Sequence, residues 1–147
     1  MFTKYMHLER LGTSEVEGIE DGLTYVFPKL DGTNGSLWLL DGDIQAGSRN
    51  RHLSLDADNA GFLTWAIQQE NLKQYLHRNP THILYGEWLV PHSLKTYRDD
   101  AWRRFYVFDV LDTATGALVH YENYKDGLDR HAVDYLAPIA QVKNGSL

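Results

Sequence analysis

The stretch Leu30-Asp31-Gly32-Thr33-Asn34-Gly35 allows few backbones. It holds two strong turn dipeptides, Asp-Gly and Asn-Gly, in six residues. On either side lie runs rich in β-branched and aromatic residues. Leu23-Thr24-Tyr25-Val26-Phe27 reads as one strand, and Gly35 onward (Ser36-Leu37-Trp38-Leu39-Leu40) as a second. A single lysine, Lys29, stands where the first strand meets the turn. An ammonium has no lone pair, so a lysine nucleophile needs a lowered pKa. The alternative reading is an ordinary surface lysine on a hairpin.

The rest of the chain continues this pattern. Leu37 to Ala46 is a predicted hairpin around Leu40-Asp41-Gly42-Asp43. Asp58 or Asn59 is placed to cap a helix running to about Arg78. Phe62, Trp65, Ala66, Leu72, Tyr75 and Leu76 form its apolar face, and Asn79-Pro80 ends it. Strands are expected at about 82–90 and 104–111. A turn at Asp112–Gly116 then leads into Ala117-Leu118-Val119. A second helix is expected near 123–137, packing through Leu128, Ala132, Val133 and Leu136 and closed by Pro138. Strands outnumber helices and many joins are hairpins, so the fold class is α+β with mostly antiparallel sheet.

Composition bounds the function. A chain of 147 residues, 43% of them hydrophobic, suits one globular domain with a real core. It has no apolar stretch near the length of a membrane span and no signal peptide, which sets expectations of no membrane partner and a cytoplasmic location. The absence of cysteine excludes disulfides and thiolate metal sites and fits a reducing compartment. A formal charge of −6 argues against a broad basic face for nucleic acid, although a site can still be locally basic. His7, His52, His77, His82, His92, His120 and His131 show no metal-ligand spacing, so no metal-binding residues are assigned. There is no Walker P-loop, no G-x-G-x-x-G and no G-x-S-x-G.

Four segments stand in a telling order. They are Lys29-Leu30-Asp31-Gly32-Thr33-Asn34, Gln45-Ala46-Gly47-Ser48-Arg49-Asn50-Arg51, Ile83-Leu84-Tyr85-Gly86-Glu87-Trp88 and Phe105-Tyr106-Val107-Phe108-Asp109-Val110. These resemble motifs I, Ia, III and IIIa of the covalent nucleotidyltransferases, the superfamily of ATP-dependent DNA and RNA ligases and mRNA capping enzymes. Asparagine at Asn34, where DNA ligases and capping enzymes carry arginine, is similar to the RNA-ligase-2-like branch common in phages. The resemblance covers roughly residues 5–125 and implies the antiparallel nucleotidyltransferase (adenylation) fold.

It also implies roles. Lys29 would attack the α-phosphorus of ATP, forming lysyl-AMP and releasing pyrophosphate with Mg2+ or Mn2+ present. Asp31 and Gly32 would shape the nucleotide-binding loop, and Asn34 would offer an amide to the same cleft, or else stabilise the turn in a left-handed conformation. Arg49 would lie by the nucleotide or the RNA end, since arginine suits bidentate contact with phosphate or ribose oxygens. Glu87 would accept from the ribose or sit near metal, with an ion pair to Arg49 as the structural alternative. Phe108 would stack on adenine or else be core. Tyr106 is its fallback, on the same strand face by period two.

Relatives continue with an E-G-x-V-x-K strand (motif IV) and a K-x-K strand (motif V), and neither pattern occurs here. Pro28 also stands before the lysine, where many relatives are acidic. The expectation is therefore a single, incomplete adenylation domain over residues 1–147. Two functions follow. One is an ATP-dependent RNA ligase, cytoplasmic and phage-encoded, that joins 3′-OH and 5′-phosphate ends such as those of a nicked duplex. The other is a catalytically incomplete module that binds a nucleotide or an RNA end. It would need a second chain or self-association to complete its sheet.

Overall fold

The computed structural model describes residues 2–3, 23–27, 32–58, 61–89, 104–138 and 140–143. Lys29 and Asp31 lie outside the described residues. The chain divides into two compact units, residues 1–4 with 31–135 and residues 5–30 with 136–147. In the second unit, β1 (Leu23–Val26) pairs antiparallel with β7 (Ala140–Lys143), Val26 opposite Ala140.

The first unit is built on an antiparallel sheet of order β3-β2-β4-β5-β6. Its strands are β2 (Thr33–Leu40), β3 (Asp43–Gly47), β4 (His82–Leu89), β5 (Arg104–Asp112) and β6 (Ala117–Leu118). The β2–β3 hairpin turns at Asp41 and Gly42, both at positive φ (50° and 84°). This is the handedness that a two-residue hairpin needs to match strand twist. Strand β2 begins at Thr33, two residues before the expected Gly35. Asn34 is thus a strand residue and not the left-handed turn residue of the alternative reading.

One face of the sheet carries the core. Leu37, Leu84, Trp88, Phe105, Val107 and Val110 join a single cluster with the buried residues of helices α1 (Phe62–Ile67), α2 (Glu70–Arg78) and α3 (Tyr121–Arg130). Phe62 sits at its centre, with ring centroids 5.0 Å from Phe105 and 5.5 Å from Trp88. Each such side chain, fully buried, contributes about 1.5–3 kcal/mol through area removed from water.

The single helix expected over 58–78 is two. The backbone leaves the helix at Gln68 and Gln69 and re-enters at Glu70. Asp58 still caps the first piece, from outside it. Its carboxylate accepts the Leu63 N–H (2.7 Å), the Thr64 N–H (3.0 Å) and the Thr64 hydroxyl (2.8 Å).

The helix expected over 123–137 spans Tyr121–Arg130 instead. Ala132 turns the chain at φ 54°, and Val133 and Leu136 are buried from beyond the helix. Pro138 therefore does not close it. The segment after the helix serves β5: Asp134 O accepts the Val107 N–H (3.1 Å), and the Asp134 carboxylate takes a two-pronged contact from Arg104 (2.9 and 3.0 Å).

Candidate functional site

The face of the sheet opposite the core holds the polar residues. Asn34 on β2 lies directly opposite Glu87 on β4, and Glu87 opposite Tyr106 on β5. Directly opposed residues of antiparallel strands share a face, so the three form one row across the sheet. The β2–β3 ladder ends at Ser36↔Gly47, and Arg49 stands just beyond the end of β3. Arg49 stands in a tight return in which the Ser48 N–H donates to Arg51 O (2.9 Å) and the Leu53 N–H to Ala46 O (2.8 Å).

Side-chain contacts join the row to Arg49. In the amide orientation its neighbours dictate, Asn34 donates its N–H to Glu87 Oε1 (2.8 Å). Its carbonyl oxygen accepts from Arg49 Nε (3.2 Å) and Nη2 (3.0 Å). The sequence offered an Arg49–Glu87 ion pair; in the structure Asn34 lies between the two. Its partners are both charged, the stronger kind of hydrogen bond, and they fix the amide, the acid and the guanidinium relative to one another.

Gly32 lies against β4 beside the row. A Cβ there would meet Trp88 O at 2.7 Å, Glu87 Oε2 at 3.2 Å and Leu89 Cδ2 at 3.3 Å. The first of these atoms is backbone and cannot yield, so the turn can ride this closely on β4 only without a side chain. Gly32, Asn34, Arg49 and Glu87, drawn from three separated segments, thus converge on one patch.

Phe108 lies at an irregularity of the sheet. On β5, Val107 pairs with Gly86 and Asp109 with Tyr85, which leaves Phe108 as the extra residue of a β-bulge. The period-two argument that gave Tyr106 and Phe108 a common face does not run through a bulge. Tyr106 belongs to the row by its pairing with Glu87, and Phe108, two residues on, is half-buried. Gly86 makes the bulge possible. A Cβ there would collide with Tyr106 O and come within 2.7 Å of the Phe105 ring.

The sheet face beyond the row is covered. Phe2 lies against Trp38 with ring centroids 6.1 Å apart, and the Tyr85 hydroxyl donates to Thr3 O (2.7 Å). Burial pushes the Tyr85 phenol up to about 12, so it stays a donor at neutral pH. His82 serves the fold: its Nδ1 is 2.9 Å from the Tyr75 hydroxyl, and its Nε2 is 3.9 Å from Asp112 Oδ2. Burial lowers the His82 pKa against the opposing pull of Asp112. Among the described residues no three His, Cys, Asp or Glu side chains gather to hold a metal ion. No helix among them is long and apolar enough to cross a membrane.

Sequence reasoning assigned nothing to Tyr124, whose hydroxyl donates to Phe108 O (3.2 Å). Its spacing to Leu128 marks it as core, but no local pattern announces the partner of its hydroxyl.

The sequence over residues 24–144 matches the family model described as RNA ligase. No curated protein matches it. Among solved structures, the fold is similar to several of the Naegleria gruberi RNA ligase. A point mutant of that enzyme with ATP and Mn superposes with TM-score 0.74 at 18% identity, covering 97% of this chain and 44% of that one. A second mutant with ATP and Mn gives TM-score 0.70 at 19% identity over 88% of this chain and 39% of that one. The same ligase with PPi gives 0.68 at 17% identity, over 88% and 40%. The chain thus spans about two fifths of the length of the structures it resembles, and the likeness extends to the antiparallel α+β architecture.

Proposed function

Because the chain belongs to the RNA ligase family, we propose that it supplies the nucleotide-binding and nucleophile-bearing part of an ATP-dependent RNA ligase of the RNA-ligase-2-like kind. One observation carries this reading. Asn34, five residues after Lys29 in the same motif, stands between Arg49 and Glu87, the charged residues of two other motifs. Ordinary surface residues gain little from such a row. A nucleotide needs it, because ribose hydroxyls want an acceptor and phosphates a fixed cationic fork.

In this reading the neutral Lys29 amine attacks the α-phosphorus of ATP. The N–P bond forms, the bond to the β-phosphate oxygen breaks, pyrophosphate departs and the amine gives up a proton. AMP then passes to a 5′-phosphate of RNA, and a 3′-OH displaces it to join the ends, at a nick or between strands. The divalent ion, Mg2+ or Mn2+, arrives with ATP as part of the substrate. Glu87 accepts from the ribose, Asn34 fixes both Glu87 and Arg49, and Arg49 addresses phosphate. Asp31 and Gly32 shape the loop, and Phe108 stacks on adenine.

A second reading, binding without catalysis by this chain alone, is favoured by the absence of E-G-x-V-x-K and K-x-K from the sequence. ATP binding separates the roles. Phe108→Ala is expected to weaken ATP by about 1–3 kcal/mol, the scale of one base–aromatic stack, and Phe108→Tyr much less. Arg49→Lys, which keeps the charge but loses the fork, is expected to weaken it by about 1 kcal/mol or more. Full ATP affinity in Phe108→Ala, Arg49→Lys and Glu87→Gln alike would refute the assignment of this face.

A further inference from the structure

The bulge in β5 raises the question of what fixes the angle of its extra residue. A ladder residue takes its direction from neighbours in register, and at Phe108 the β4–β5 register shifts, Tyr85 pairing with Asp109 and Gly86 with Val107. Bulges re-aim side chains, so whatever holds the bulged backbone bears on where the side chain points. Here α3 reaches the bulge. The Tyr124 hydroxyl donates to the Phe108 carbonyl at 3.2 Å. Tyr124 is 3% exposed, belongs to the main apolar cluster and stands edge-on to Tyr121 with ring centroids 5.5 Å apart. Its hydroxyl therefore has little freedom to wander. Burial first, and then the neighbouring Asp109 charge and the Tyr121 and Tyr135 phenols, push its pKa upward, so it remains a donor at neutral pH.

We propose that Tyr124 is a positioning residue for nucleotide recognition: through its hydrogen bond to the bulged carbonyl it sets the direction in which Phe108 presents its ring to the base. The inference rests on the reading of Phe108 as the adenine-stacking residue. Tyr124 touches no substrate in this role. It acts on the base alone, and not on the phosphates that Arg49 addresses.

The test is titration calorimetry of the full chain with ATP and, separately, with inorganic tripolyphosphate. The proteins are the wild type, Tyr124→Phe, Phe108→Ala and the double variant, each with a melting curve. Phenylalanine fills the space of the tyrosine ring, so Tyr124→Phe removes only the hydroxyl. ATP affinity is expected to fall about three- to tenfold in Tyr124→Phe, the worth of one ordinary hydrogen bond, with tripolyphosphate affinity unchanged. In the Phe108→Ala background the same change is expected to have no further effect, because the ring it aims is gone. Unchanged ATP affinity in Tyr124→Phe beside a loss in Phe108→Ala would overturn the positioning role and leave the adenine reading standing. So would equal losses for ATP and tripolyphosphate, or additive losses in the double variant, since both mark a merely structural hydroxyl. No loss in Phe108→Ala would overturn the adenine reading and this inference with it.

Discussion

Asn34→Asp exchanges the amide NH2 group for an oxygen and puts the whole arrangement of the row at stake. In the native row the Asn34 nitrogen stands 2.8 Å from Glu87 Oε1, while its oxygen takes Arg49 at 3.0 and 3.2 Å. The aspartate keeps the Arg49 side but sets a second carboxylate oxygen against Glu87. Two unit charges about 4 Å apart repel by about 4 kcal/mol at the effective dielectric of a protein surface. The hydrogen bond to a charged acceptor is also lost, worth about 1.5–3 kcal/mol. Against this stands a better pair with Arg49, which is exposed and so worth at most about 1 kcal/mol. Solvent at the half-buried row trims the repulsion further, leaving a net loss of about 2 kcal/mol at neutral pH, or about 4–8 °C in melting temperature for a chain of this size. The loss has a pH signature. Repulsion raises the folded pKa of one carboxylate above its unfolded value, so the deficit is full at neutral pH and shrinks as pH falls through that raised value. Asn34→Ala, with no added charge, shows no such recovery relative to wild type. Thermal melts of the three proteins at about pH 7 and about pH 4 decide the matter. An Asn34→Asp variant as stable as wild type at pH 7, or with the same deficit at both values, would show that Asn34 does not face Glu87.

Three further expectations concern the frame around the row. Gly86→Ala drives a methyl onto Tyr106 O and the packed Phe105 ring, and is expected to cost about 1–3 kcal/mol in urea denaturation; an unchanged midpoint would refute the close approach. His82 has a pKa lowered by burial from 6.5, so the unfolded chain takes up its proton first. The stability it contributes is therefore complete above 6.5 and is lost as pH falls through the lowered folded value. His82→Gln is expected to flatten the stability profile there, and a wild-type profile already flat would contradict the assignment. Arg104 and Asp134 form a two-pronged pair, but Arg104 is nearly half exposed (46%), so Asp134→Asn is expected to cost less than about 1 kcal/mol by chemical denaturation.

Local signals carried most of the fold. The Asp41-Gly42 turn, the strands on either side of it and the strands at 82–89 and 104–112 all follow from β-branched runs bounded by turn dipeptides. The break between α1 and α2 was missed, because the apolar positions on either side of it keep helical spacing and read as one face. The early end of α3 was not legible. Val133 and Leu136 keep helical spacing, yet the chain leaves the helix to give Asp134 to β5, a partner some thirty residues back. Motif resemblance named Asn34, Arg49 and Glu87 one by one as candidates. That Asn34 opposes Glu87 depends on β2 pairing with β4 across some fifty residues, which no local pattern states. The Phe108 bulge left no mark in the sequence, because one extra residue in a strand looks like any other strand residue.

Labelling with ATP that carries its label on the α-phosphate tests the lysyl-AMP chemistry most directly. The chain is incubated with Mg2+ or Mn2+, with and without a second segment bearing the motif IV and motif V strands. The expected product is a label on the protein that survives denaturation and is acid-labile and base-stable, as a phosphoramidate is. It is expected to be weak or absent in the chain alone, strong with the second segment, and abolished by Lys29→Ala. A label that persists undiminished in Lys29→Ala would contradict the account.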